Sequence, residues 1–92
     1  MNSSERTLKM YKDTEFIILF KLKGLLSKHP DAKQREIAEK CLISLGCVNS
    51  ILRRFEQRGW ITVKRITSRQ TTYRLTNKGI TAGTKFIRKL TD

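Results

Sequence analysis

The sequence predicts an α+β chain that is mostly α, in the order helix, helix, helix, β-hairpin, helix. Three observations carry that prediction. An apolar-rich run extends from Phe16 to Leu26, and apolar residues keep helical spacing at Leu45, Val48, Leu52 and Phe55. Residues 60–76, "WITVKRITSRQTTYRLT", are rich in Ile, Thr, Val and Tyr around a polar middle, which favours two paired strands. Finally, 92 residues have room for one small hydrophobic core, so residues 1–92 are expected to fold as one domain.

Each element has its own local signal. The polar residues 1–12 are expected to form a flexible arm or an early extension of the first helix. Asp13 or Thr14 can cap that helix, expected over residues 13–28. Eight of the eleven residues in "FIILFKLKGLL" are apolar and spread almost all round a helix, which then needs cover on more than one side. A domain this small covers one face, so a second subunit is expected on the other; a central helix in a monomer is the plainer alternative. "HPD" breaks the chain, and Asp31 can cap a short helix over 32–41, with Gln34 three residues on as an approximate capping box. Ile37, Ala38 and Cys41 form its inner face; Lys33, Glu36 and Lys40 look outward.

A tight "LIS" connection leads to Ser44, a good N-cap for a helix over 44–58. Its core stripe is Leu45, Val48, Leu52 and Phe55, with Ile51 beside it. Gly59 is expected to end the helix in a Schellman motif that folds Trp60 back on Phe55. In the hairpin, 61–75, Ile61 and Val63 point inward and Tyr73 and Leu75 answer them. The tip is expected near Ser68–Gln70, and the break in alternation at Arg65–Ile66 predicts an outer hairpin projecting beyond the core. Thr76 can cap a last helix over 77–90, with Ile80, Gly83, Ile87 and Leu90 on one stripe flanked by Ala82 and Phe86. A short helix, a tight turn, a longer helix and a two-stranded wing make the winged helix-turn-helix arrangement. A three-helix bundle with an incidental hairpin is the alternative.

The net charge is +12, from 20 Lys and Arg against 8 Asp and Glu. It is unevenly placed: residues 1–39 hold 8 basic and 6 acidic side chains, whereas residues 40–92 hold 12 and 2. One half of the chain is therefore suited to a polyanion such as nucleic acid. Other classes find little support. The single histidine, His29, lies in the "SKHPD" turn, and there is no nucleophile–base pairing, carboxylate pair or glycine-rich phosphate loop, so no enzyme activity and no cofactor are expected. Cys41 and Cys47 lie six residues apart without a His/Cys ligand set, which argues against zinc and for reduced thiols in a cytosolic protein. Cys47 can touch a base edge or merely fill space. No signal peptide is evident, and the longest apolar run, "FIILF", is far short of a membrane span. The expected location is the cytoplasm, on the nucleoid when bound.

Within "SLGCVNSILRRFEQRGW", the line opposite the core stripe is Gly46, Asn49, Ser50 and Arg53. The major groove of B-DNA admits one helix and displays a distinct donor and acceptor pattern for each base pair. Gly46 permits close approach, Asn49 suits adenine, Arg53 suits guanine or a phosphate, and Ser50 serves either. Arg54 lies towards the flank and is assigned to phosphate, as are the backbone N–H groups from Ser44 onward. In the wing, Arg69 at the tip is suited to the adjacent minor groove, and Lys64, Arg65 and Arg74 to phosphates or a solvated strand face. Gln34 and Arg35, opening the second helix, occupy positions that contact the backbone in helix-turn-helix domains.

The blocks "QREIAEKCLISLGCVNSILRRFEQRGWITVKR" and "TTYRLTNKGI" resemble winged-helix regulators of the MarR type. More narrowly they resemble the small MarR-type proteins associated with exopolysaccharide gene clusters. The likeness covers about residues 30 to 90. It implies a dimeric repressor or activator on double-stranded DNA, paired through the first and last helices. Three residues depart from the pattern. Leu42 sits where such turns often have glycine, so the turn must avoid a left-handed residue or carry strain. Lys33 replaces the usual Ser or Thr, which moves the expected cap to Asp31, and Asn77 stands where proline is common. Two other readings fit a winged helix: a protein–protein docking module, and a plasmid or phage origin-binding protein.

Overall fold

The chain forms α1 (Ser3–Lys28), α2 (Gln34–Cys41), α3 (Leu45–Gln57), β1 (Ile61–Arg65), β2 (Thr71–Leu75) and α4 (Asn77–Thr91). The computed structural model describes the backbone of residues 3–67 and 69–91, and the side chains of 13–67 and 69–90. Fold class and element order agree with the sequence reading. The first helix differs: it starts at Ser3, so Asp13 and Thr14 lie inside it and cap nothing. No proline or glycine interrupts residues 3–23, and Glu, Arg, Leu, Lys and Met there all favour helix. Of the expected arm, Met1 and Asn2 lie outside the described residues.

The core draws on every element before α4. Ile18, Leu19 and Leu22 of α1 meet Ile37, Ala38 and Cys41 of α2, Val48, Ile51, Leu52 and Phe55 of α3, and Ile61 and Tyr73 of the hairpin. The hairpin is antiparallel, with Ile61 opposite Leu75 and Val63 opposite Tyr73, so the expected inward residues share one face. Two inward stripes differ from expectation. Leu45, the first residue of α3, is 49% exposed. In α4 the residues buried against the rest of the fold are Gly79 and Gly83, while Leu90 stands out in solvent. Phe86 stacks on Phe16 of α1, ring centroids 5.1 Å apart.

Two helix ends set the geometry between α2 and the wing. Leu42 closes α2 in the left-handed region, φ 57° and ψ 44°. Its N–H donates to the Glu39 carbonyl and the Ile43 N–H to that of Ala38, the paired bonds of a Schellman turn. The turn therefore takes the strained alternative: it keeps the left-handed residue although leucine, not glycine, occupies it. The cap of α2 is Lys33 rather than Asp31. An ammonium accepts no hydrogen bond, so only the return half of a capping box forms, with Glu36 accepting from the Lys33 N–H at 3.4 Å. At the end of α3, Gly59 has φ 74° and the Trp60 N–H donates to the Phe55 carbonyl. The Trp60 ring then lies 5.3 Å from both Phe55 and Phe16, as the expected Schellman stop requires on the α3 side.

Candidate nucleic-acid interface

Helix α3 presents three faces. Val48, Ile51, Leu52 and Phe55 are buried. Gly46, Asn49, Ser50 and Arg53 are all exposed, as is Gln57, which continues their line one turn beyond Arg53. The third face, with Arg54 and Arg58, turns to α1. The helix begins where Ser44 Oγ accepts from the Cys47 N–H at 3.2 Å. That contact occupies Ser44 as a cap and uses one of the amides assigned to a phosphate. Nothing lies within 4 Å of where a Cβ on Gly46 would sit, so the front of α3 is open to close approach.

The cations divide into two groups. Arg35, Arg53, Lys64, Arg69 and Arg74 are exposed, and among the described residues none of them lies in an ion pair. Lys64 and Arg74 sit on the outer face of the hairpin, opposite Thr72 and Thr62. Arg54 and Arg65 differ from expectation because each faces an acid. Arg54 Nε lies 2.9 Å from Glu15 of α1, a carboxylate that also pairs with Arg58. Arg65 lies on the inner register of the hairpin and grips Glu56 of α3 through two bonds, 3.1 and 3.3 Å. That grip holds the Glu56 carboxyl below the usual glutamate range and raises the Arg65 guanidinium. Glu15 is only 9% exposed, and an ionised carboxylate at that depth needs its two cationic partners.

The wing is tied to α2 as well as to α3. Gln34 Nε2 donates to the Tyr73 hydroxyl at 3.0 Å, which commits the amide that the sequence reading left for a DNA backbone. Lys33 Nζ donates to the Arg69 carbonyl at 2.8 Å, pinning the loop that carries Arg69. In that loop the Ile66 N–H donates to the Gln70 carbonyl and Thr67 Oγ1 accepts from the Gln70 N–H, so Arg69 projects from a closed turn; Ser68 lies outside the described residues. A polar groove runs between α3 and the hairpin, lined by Asn49, Arg53, Glu56, Arg65, Thr71 and Tyr73.

Sequence reasoning missed Glu15, Lys33, Gln57 and Arg58. Gln57 was available from spacing, four residues after Arg53. Glu15 had a weaker signal, as the acid that immediately precedes an apolar run. The tie from Lys33 crosses 36 positions and had no local sign. The thiols also part company: Cys41 is buried, and burial raises its thiol against the pull of Lys21 and Lys40, whereas Cys47 is exposed. Among the described residues no group of three His, Cys, Asp or Glu side chains is placed to hold a metal, and no helix is long and apolar enough to cross a membrane.

With this geometry in place, comparisons with known proteins point one way. A family model described as the MarR family matches residues 13–68. Among solved structures, the Staphylococcus aureus MepR–DNA complex superposes with a TM-score of 0.70 at 18% identity, covering 92% of this chain and 62% of that one. ZitR of Lactococcus lactis in complex with DNA gives a TM-score of 0.59 at 24% identity, covering 83% of this chain and 49% of that one. Staphylococcus aureus MarR in complex with salicylate and kanamycin gives 0.64 at 22% identity, covering 84% and 50%. The chain thus spans less than two thirds of the length of each of these structures. No curated protein matches it.

Proposed function

The chain belongs to the MarR family, and from that premise we propose that it is a sequence-specific, double-stranded-DNA-binding transcriptional regulator acting as a homodimer. The observation that carries this reading is the exposed line Gly46, Asn49, Ser50 and Arg53 on a helix whose opposite face is fully buried. Helix α3 lies in the major groove, where Asn49 suits adenine and Arg53 guanine, and Ser50 bonds to either. Arg35 at the start of α2, and Lys64, Arg69 and Arg74 of the wing, supply phosphate and minor-groove contacts. Arg54 and Arg65, held by Glu15 and Glu56, leave the contact set and become struts, and Gln34 and Ser44 hold the reading head in shape. No catalytic step is assigned. Such a regulator works in the cytoplasm, on the nucleoid.

Dimerisation is supported by the outer face of α1, where Ile17 and Phe20 remain about two-fifths exposed beside the α4 contact. Helix α4, packed along α1, carries a further exposed apolar residue, Leu90, in its last turn. MepR and ZitR, which share the fold, have been captured on DNA, and this supports the same mode of action here. The test is selection of bound sequences from a random duplex pool. A recovered inverted repeat, with half-sites one helical turn apart, is the expected result. No enrichment, together with a stable complex with another protein, sinks the reading in favour of a docking module.

A further inference from the structure

We infer that Leu45 is a specificity-determining residue that reads the C5-methyl group of a thymine; this deepens the proposed DNA-binding function and rests on it. Leu45 belongs by spacing to the core stripe of α3, yet the structure leaves it 49% exposed at the first position of the helix. Its apolar side chain therefore stands half in solvent at the N-terminal end of the helix proposed to enter the groove. What surrounds it limits the partner. Arg35, Glu39, Leu42, Ile43 and Ser44 share the shallow concavity that it lines, and the half of the chain from residue 40 onward holds 12 basic and 2 acidic side chains. With α3 in the major groove as proposed, the apolar feature that a leucine there can meet is the thymine methyl.

The placement fits. The N-terminal residues of a recognition helix are those that reach base edges. Leu45 precedes Asn49 by four residues, so the two sit one above the other on the same flank. Gly46 adds no side chain between Leu45 and the groove floor. A thymine methyl read by Leu45 thus falls beside the base contacted by Asn49.

The test starts from the duplex recovered by selection. Each thymine is replaced in turn by deoxyuridine, which removes only the methyl, and affinity is measured by fluorescence anisotropy for the wild type, Leu45→Ala and Leu45→Met. For the wild type, one thymine per half-site should cost about fourfold on replacement, the factor that corresponds to roughly 0.8 kcal/mol per buried methyl-sized group. Leu45→Ala should bind the thymine and deoxyuridine duplexes equally, and Leu45→Met should restore the difference, with circular dichroism confirming the fold of both. Sensitivity that persists in Leu45→Ala, or no methyl-sensitive thymine in the wild type, overturns the inference and leaves the DNA-binding reading intact. Failure to recover any duplex overturns that reading and this inference with it. A Leu45→Ala change that alters oligomeric mass but not deoxyuridine sensitivity assigns the patch to a protein contact and also overturns it.

Discussion

Two alanine substitutions one turn apart in α4 should move stability in opposite directions. Gly79 enters the helix against the Trp60 backbone: a Cβ there would lie 2.2 Å from the Trp60 carbonyl oxygen and 2.9 Å from its carbon. The obstacle is backbone, and it is already engaged, because that oxygen accepts the Thr76 N–H at 3.0 Å. Thr76 in turn donates from Oγ1 to the Gly59 carbonyl and accepts from the Gly79 N–H. Gly79→Ala therefore has to push the carbonyl back by roughly an ångström inside a packed junction. Overpacking costs about 1–3 kcal/mol and a loosened hydrogen bond about 0.5–1.5 kcal/mol. The better helix propensity of alanine returns up to about 1 kcal/mol. The net loss is about 1–3 kcal/mol, or on the order of 5–20 °C in Tm for a chain of this size. At Gly83 a Cβ would meet Leu19 Cδ2 at 3.7 Å, an ordinary contact, so Gly83→Ala should be neutral or stabilising by up to about 1 kcal/mol. Urea unfolding followed by the fluorescence of Trp60, the single tryptophan, gives both numbers at one protein concentration. Equal shifts in the two variants, or an unchanged Gly79→Ala, would refute the reasoning.

Four further outcomes are expected. Arg53→Ala should weaken binding to the selected duplex by about 1–3 kcal/mol and relax one base position, while Arg54→Ala, already committed to Glu15, should leave the slope of log affinity against log salt unchanged in an anisotropy titration. The wild type itself should lose about 10³–10⁵ in affinity between 50 and 200 mM salt if a dimer neutralises about 6 to 10 phosphates; a flat titration would contradict that count. Leu42→Gly should stabilise by about 0.5–1 kcal/mol in denaturant unfolding, since it relieves a left-handed leucine that is 85% exposed and gives up no burial; a loss of stability would mean that Leu42 has a partner. Glu56 has a lowered folded-state pKa, so its stabilising contribution is present above the unfolded carboxylate range near 4.3 and disappears as pH falls through the folded value. The stability difference between wild type and Glu56→Gln should accordingly be small, present at pH 6 and shrinking towards pH 3; a difference that grows on acidification has the wrong sign.

Periodicity and turn chemistry made the fold legible. The stripe Val48, Leu52 and Phe55, the Gly59–Trp60 stop, the Thr76 cap and the alternation Ile61, Val63, Tyr73, Leu75 are local signals, and the structure uses each of them. Where local signals compete with packing, the sequence is less informative. Leu45 keeps the period but stands half in solvent at the first position of α3. Asp13 is a good cap residue, but nothing upstream stops α1, so the cap goes unused. Gly79 reads as a weak helix residue until the Trp60 carbonyl is seen to occupy the place of its Cβ. In the candidate site, the exposed line of α3 follows from spacing alone. The partners of its cations do not, because each ion pair joins residues distant in the chain or on different elements.

Those pairings change what the charge of the chain means. Counting basic residues treats the arginines of α3 and the wing as equivalent, but two acids separate them. Glu15 reaches from α1 to hold Arg54 and Arg58, and Arg58 also lies over the Trp60 ring at 5.0 Å. Glu56 holds Arg65 and with it the inner face of the hairpin. Gln34 and Lys33 complete the frame by fixing Tyr73 and the Arg69 loop to α2. Arg53, Lys64, Arg69 and Arg74 are left outside this frame on elements that the frame holds still. A phosphate or base that meets them does not have to order the scaffold first, which lowers the entropic cost of binding. The same ties run from the reading helix through Glu15 to α1, the helix whose outer face is open to a second subunit. In the proposed dimer, the spacing of the two reading heads is therefore set through this carboxylate and the cluster of tilted rings, Phe16, Trp60 and Phe55, beside it.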